Sequence, residues 1–265
     1  MALVETTRLG RVATVTINRP EAMNAFNSEL LEVLIDEMET LADYGGVGAV
    51  VITGAGRGFS SGADLNDAVV FRDSQAFADP ENFLKIVQER YASLILRMRR
   101  IPQPVIAAVN GPAAGGGFSM ALASDVRFAS PEAYFVASFI NIGLSGGELG
   151  CSYLLPRLVG LSRASEILLT GRKVRAEEAE RMGLVTRVVA GDGLLEEALA
   201  CARAMAAKSA GGLKLTKRAL DENLAAPSLE SAINIENRNQ TIMVFSGEFF
   251  KLIRSFYKGE GAPGE

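Results

Sequence analysis

Histidine is missing from all 265 residues of this chain, and so is tryptophan. Without histidine, neither a Ser-His-Asp nor a Cys-His nucleophile system can be built, and the common His-bearing zinc sites fall away with them. Acid–base work is left to carboxylates, tyrosine, lysine, cysteine or the substrate itself. Cysteine is scarce. Cys151 and Cys201 stand far apart without metal-ligand spacing, which fits a reduced, cytoplasmic protein and no metal. Neither sign of charge dominates. The formal net charge is -4 and no basic block occurs, which argues against a nucleic-acid partner. Gly, Pro or charge breaks every apolar run well short of a membrane span. The opening Met1-Ala2-Leu3-Val4-Glu5 reads as no signal peptide.

What is present is apolar mass, 48% of the residues, enough for one large α/β domain or a core with a small appendage. Two glycine-rich turns stand out, each at the end of a β-branched apolar run. The first follows Val50-Val51-Ile52-Thr53 and reads Gly54-Ala55-Gly56-Arg57-Gly58-Phe59-Ser60-Ser61-Gly62-Ala63-Asp64-Leu65. The second follows Pro104-Val105-Ile106-Ala107-Ala108-Val109 and reads Asn110-Gly111-Pro112-Ala113-Ala114-Gly115-Gly116-Gly117-Phe118. Each has the pattern of a buried strand, a tight turn and a helix start. Free N–H groups at a helix start favour negative charge. One such turn is equally well explained by close strand–helix packing. Two of one design can offer two N–H donors to a single oxygen, which is an oxyanion hole.

The rest of the chain reads as alternating strands and helices. Val12 to Ile17 alternates as a strand after a turn at Leu9-Gly10. Ser28 is placed to cap a helix from Glu29 to Asp43. Asn66 to Pro80 has no clear period and reads as a mobile loop, after which a helix runs to Arg100 and stops at Pro102 and Pro104. Val126 to Ala129 is a strand and Leu194 to Lys208 an alanine-rich helix. Gly211-Gly212 separates off Leu213 to Ala225, a last helical stretch runs from Ser228 to about Tyr257, and the tail from Lys258 frays. A boundary falls near residue 209. Helices recurring after strands imply a mostly parallel sheet, without distinguishing a spiral from a doubly wound arrangement.

Seven segments, in order, resemble the motifs of the enoyl-CoA hydratase/isomerase, or crotonase, family. They are Ile17-Asn18-Arg19-Pro20-Glu21-Ala22-Met23-Asn24-Ala25-Phe26, Phe59-Ser60-Ser61-Gly62-Ala63-Asp64-Leu65, and Ala107-Ala108-Val109-Asn110-Gly111 with Gly115-Gly116-Gly117. Next come Ser124-Asp125-Val126-Arg127-Phe128-Ala129 and Leu155-Pro156-Arg157-Leu158-Val159-Gly160. Leu168-Leu169-Thr170-Gly171-Arg172 and Ala179-Glu180-Arg181-Met182-Gly183-Leu184-Val185 complete the series. The resemblance spans nearly the whole chain. It implies an α/β fold, a crotonase-like spiral of β-β-α repeats (residues 1–208) with a C-terminal helical trimerisation region (residues 209–265). It also implies an acyl-CoA thioester substrate, no cofactor beyond the CoA of that substrate, and a homotrimer or a hexamer made as a dimer of trimers. The apolar Ile233, Ile242, Val244, Phe245, Phe249, Phe250 and Ile253 suit such an assembly.

Carried over position by position, the resemblance makes the backbone N–H groups of Ala63 and Gly116 the oxyanion donors. It lines the substrate with Ala22, Met23, Ser61, Asp64, Leu65, Gly115, Ser119 and Phe139. Hydratases of the family use two glutamates, and Ser119 and Phe139 occupy those positions here. Phenylalanine transfers no proton, so double-bond isomerisation or another CoA-ester reaction gains on hydration. Glu148, counted back from Pro156, matches an aspartate of the family's dienoyl-CoA isomerases and aryl-CoA dehalogenases, although counting from Gly143 shifts the match by one. It is the candidate catalytic carboxylate, and burial is expected to raise its pKa. Its other reading is a helix-start glutamate favoured by the dipole. A basic residue is common in the family where Glu21 stands.

Asp64 and Asp125 read as structural hydrogen bonders, and Arg97, Arg99 and Arg100 as a solvated helix end. Val70, Phe71, Phe77 and Phe83 fit an acyl pocket or ordinary core equally well. Two other function classes are weighed. A short-chain NAD(P)-dependent dehydrogenase fails because Ser60 replaces the third glycine of the dinucleotide turn and no Tyr-x-x-x-Lys occurs. A non-catalytic acyl-CoA-binding relative remains open, because Ser119 and Phe139 are poor acid–base groups.

Overall fold

The computed structural model describes residues 2–67, 75–190 and 192–257, with side chains to residue 254. Val70, Phe71 and the middle of the expected loop between Asn66 and Pro80, residues 68–74, lie outside the described residues, as does the tail from Lys258.

The chain opens with a hairpin that sequence reading misses in its first half. Strand β1 (Val4–Leu9) pairs antiparallel with β2 (Val12–Ile17) around Gly10. Every further pairing in the main sheet is parallel. β3 (Ala49–Gly54), β4 (Val105–Val109), β6 (Val126–Ala129) and β9 (Arg187–Val188) extend it in the order β1-β2-β3-β4-β6-β9. A second sheet joins β5 (Ala113–Ala114), β7 (Tyr134–Val136) and β8 (Val174–Arg175) in the order β5-β7-β8.

Helices cover both faces of the main sheet, which is why its central strands are apolar at consecutive positions. On one face Val15, Ile17, Val50, Ile52, Ala107 and Val109 pack under α1 (Ser28–Asp43) and α2 (Glu89–Arg100). On the other, Val12, Ala49, Val51, Ile106, Ala108 and Phe128 meet Leu194, Ala198, Ala202 and Ala206. Those four belong to α7 (Gly193–Ala206), an alanine-rich helix whose small side chains let it lie close to the strands. Between them in sequence come α3 (Gly116–Ala123), α4 (Cys151–Val159), α5 (Leu161–Thr170) and α6 (Ala176–Arg181).

The helix ends depart from expectation in instructive ways. α1 is capped by Asn27, whose side chain accepts from the Leu30 amide at 2.9 Å, and not by Ser28. Both residue types cap well, and the Ser28 hydroxyl and amide are instead held by Asp67. α2 is preceded by a short turn, Pro80–Phe83, and a π-helical turn, Leu84–Gln88. Gly211-Gly212 lies inside α8 (Ala210–Asn223), whose cap is Ser209. The final stretch is two helices, α9 (Leu229–Phe245) and α10 (Glu248–Tyr257), broken at Gly247 with φ 82°.

Asp125 ties the C-terminal helices to the core. Its carboxylate accepts from the Val105 amide at 2.8 Å and from the nearly fully buried Lys217 Nζ of α8 at 2.9 Å. Arg99 bonds the same carboxylate and also pairs with Asp221 of α8, while Arg97 pairs with Glu39. Arg97 and Arg99 are therefore not simply a solvated helix end, while Arg100 is exposed, and the structural part expected of Asp125 is what its contacts describe. Among the described residues, no helix is long and apolar enough to cross a membrane, and no cluster of His, Cys, Asp and Glu is arranged to hold a metal.

Candidate active site

The two glycine-rich turns leave the C-terminal ends of β3 and β4 side by side. The first is clamped by two asparagine side chains. Asn24 donates to the carbonyls of Ala55 at 2.9 Å and Gly58 at 2.7 Å, and its Oδ1 accepts from the Arg19 amide. Asn110 accepts from the Gly54 amide at 3.2 Å and donates to Gly56 at 3.0 Å. The turn then runs through isolated parallel bridges, Ser60 with Ala113 and Phe26 with Ala63. Gly62 has φ 88° and lies so near the second turn that a Cβ there would stand 2.7 Å from the Ala114 carbonyl oxygen. No other residue fits that approach.

The second turn ends at Gly115, the cap residue of α3. Gly116 follows at the first helical position, where an amide has no partner within the helix. Among the described residues, neither the Ala63 nor the Gly116 amide donates to any acceptor in the chain. The α3 dipole adds to the positive character of this corner.

Ser61, Ala63, Leu65, Gly115, Gly116, Phe139 and Glu148 all line one cavity of about 370 Å³. Phe83, Val87, Ile142, Leu144 and Leu149 supply most of the remaining wall, which makes it strongly apolar. Phe77 is outside this lining. Its exposed ring leans on that of Phe83, with centroids 5.3 Å apart.

Ala22, Met23, Asp64 and Ser119 do not line the cavity. The Met23 carbonyl accepts from the Ser61 amide at 3.0 Å, so the Ala22–Met23 turn stands just beside the first loop. Asp64 is ion-paired with Arg19 at 2.6 Å and accepts from the Asn66 amide at 2.9 Å. Burial raises its pKa, but Arg19 and the Asn66 amide together hold it below the usual carboxylate range. Ser119 is fully buried one turn into α3, its hydroxyl 3.2 Å from Cys151 Sγ. Burial drives that thiol up to about 12, so it stays protonated and inert.

Among the described residues, Glu148 is the one carboxylate lining the cavity, and no lysine or arginine lines it. Burial raises its pKa, partly offset by a hydrogen bond from the Leu149 amide. It sits in the turn ahead of α4, its carbonyl accepting from Cys151 N at 2.9 Å. The turn bends through two left-handed residues, Leu149 (φ 47°) and Gly150 (φ 81°). A left-handed leucine costs of order 1–3 kcal/mol and persists where the surroundings enforce it. Met23 and Asn24, the other described non-glycine residues with positive φ, flank the first loop.

Sequence reading misses Tyr91, Phe26 and Leu149. Tyr91 lines the cavity, nearly buried, and its hydroxyl donates to the Phe26 carbonyl at 3.1 Å. Its spacing with Leu94, Ile95 and Met98 marks a buried helical face, and a plain core position gives the same signal.

A model of the enoyl-CoA hydratase/isomerase family matches residues 7–257. A probable enoyl-CoA hydratase of Mycobacterium bovis is 49% identical over 240 residues, covering 91% of this chain and 84% of that protein. The 1,2-epoxyphenylacetyl-CoA isomerase of Escherichia coli is 34% identical over 245 residues, 92% of this chain and 91% of that one. Among solved structures, a probable enoyl-CoA hydratase/isomerase from Mycobacterium abscessus superposes with a TM-score of 0.89 at 44% identity, covering 98% of this chain and 97% of its own. A monofunctional enoyl-CoA isomerase from M. smegmatis gives 0.74 at 45% identity, covering 87% and 98%. Fold and site together thus define an α/β enzyme of crotonase fold with a C-terminal helical region. The chain belongs to the enoyl-CoA hydratase/isomerase family.

Proposed function

We propose that this enzyme shifts the carbon–carbon double bond of an enoyl-CoA thioester. The observation that carries the reading is Glu148, alone among carboxylates of the described residues on a mostly apolar wall, lining the same cavity as two unpartnered amides. The thioester oxygen sits between the N–H groups of Ala63 and Gly116. Glu148, ionised, takes a proton from C2 of a 3-enoyl ester. The electron pair of that C–H bond moves into the enolate, and the two amides stabilise the charge on oxygen. The double bond reforms between C2 and C3 as Glu148 returns the proton to C4. Atoms and charge balance without water or a second acid.

Hydration asks for more: a group that activates water and another that delivers a proton. Ser119 has no access to the cavity, and Phe139 offers it an aromatic ring. The CoA portion runs past Ala22, Met23, Ser61 and Leu65, while Asp64 holds the loop through Arg19. The M. smegmatis enoyl-CoA isomerase lends support, and the M. bovis relative favours hydration as the second reading.

The test compares conjugation of trans-3-hexenoyl-CoA with hydration of crotonyl-CoA. The proposal expects the first to exceed the second by about 10²-fold or more, the worth of one acid–base group. Faster hydration overturns it, and binding without turnover of either ester identifies a non-catalytic binder.

A further inference from the structure

We infer that Tyr91 is a positioning residue for the oxyanion pair, acting through the backbone of Phe26. This rests on the assignment of Ala63 and Gly116 as the donors. Phe26 holds both of them. Its amide donates to the Gly62 carbonyl at 2.7 Å and its carbonyl accepts from the Asp64 amide at 2.9 Å, so it grips the chain on either side of Ala63. Its ring lies against Gly116, where a Cβ would stand 3.2 Å from Cδ2 and Cε2. One residue thereby sets where two amides from separate loops stand relative to each other.

The Tyr91 hydroxyl supplies the third hold, donating to the same Phe26 carbonyl at 3.1 Å. That carbonyl is already satisfied by Asp64, so the hydroxyl is not needed to spare it an unpaired burial. What a second donor adds is direction: both lone pairs are engaged and the peptide plane cannot rock. The phenol commits its one proton to Phe26, and burial with the carboxylates of Asp67 and Asp64 nearby pushes its pKa up to about 12, so the proton stays on. Substrate meets the Tyr91 ring and not a free acid. Displacements well under 1 Å at preorganised donors lower rates without weakening ligand contact elsewhere.

Tyr91→Phe keeps the ring and removes this bond. Hexanoyl-CoA carrying ¹³C at the carbonyl reports donor alignment as the infrared shift of the bound carbonyl. The parent is expected to move that band down on binding. The variant should return part of the shift, lower kcat on trans-3-hexenoyl-CoA about tenfold and leave KM within about twofold. Its thermal midpoint stays near the parent's. A variant with the parent's carbonyl band and kcat overturns the positioning role. A parent that shows no shift on binding instead overturns the oxyanion assignment beneath it, so the two failures are told apart.

Discussion

A β-carbon on Gly62 would stand 3.0 Å from the amide nitrogen of Gly116. This relationship, between loops that leave neighbouring parallel strands, brings the amides after each turn to one corner of the cavity. Gly116→Pro tests it most locally. Proline suits the first position of a helix and removes the N–H in question. The added ring has to share space with Phe26, so circular dichroism should verify the fold. Loss of one such donor is expected to lower kcat about 10²–10³-fold. Undiminished turnover in the folded variant contradicts the donor role.

Glu148 predicts a pH profile. As a base it works ionised, and burial raises its pKa, so kcat/KM should climb with pH through an inflection above the value of about 4.3 for free glutamate. Stability runs the other way. The native state favours the protonated form, so the contribution of Glu148 is greatest below the unfolded value and is lost as pH rises through the raised native one. Glu148→Gln should therefore be more stable than the parent at neutral pH, with no advantage in acid. Urea midpoints at the two pH values check this, and an inflection at or below that of free glutamate contradicts it.

Asp125→Ala addresses the fold instead of the chemistry. It strips the partner from buried Lys217 and the acceptor from Val105. Leaving a buried charge uncompensated typically costs about 3–5 kcal/mol. Chemical denaturation should register that loss, while activity per folded molecule stays near the parent's. A variant of unchanged stability refutes the anchoring role of Asp125.

Much of this was legible in the sequence, and the gaps have physical causes. β3, β4 and α3 announce themselves through apolar runs ending in glycine. Strands of two residues, such as β5, β8 and β9, are too short to show a period, and only their partners make them strands. Gly211 and Gly212 read as a break, but Ser209 caps the helix that runs through them. The glycine corner and Glu148 follow from local pattern and family resemblance. The bond from Tyr91 to Phe26 spans 65 residues and leaves no local trace. The buried place of Ser119, against Cys151 of another helix, is equally a product of packing.

The C-terminal helices predict an assembly. Phe245 is 83% exposed, and Leu220, Leu224, Phe249 and Leu252 border a hollow of about 720 Å³, larger than the glycine-turn cavity and without its paired amides. So much bare apolar surface fits a subunit contact. Light scattering at micromolar concentration should give the mass of a trimer or hexamer, and Phe245→Asp with Phe249→Asp should shift it toward monomer. A monomeric parent excludes this assembly.

In the proposed mechanism one carboxylate, Glu148, carries a proton between two carbons of a thioester polarised by Ala63 and Gly116. The most direct measurement follows 3-hexenoyl-CoA deuterated at C2 through turnover, by mass spectrometry and NMR of the product, with parent and Glu148→Gln. The parent is expected to place part of the deuterium at C4, and Glu148→Gln to lose about 10²–10⁴-fold in rate. A Glu148→Gln protein that converts the ester at the parent's rate, with the same deuterium at C4, contradicts it.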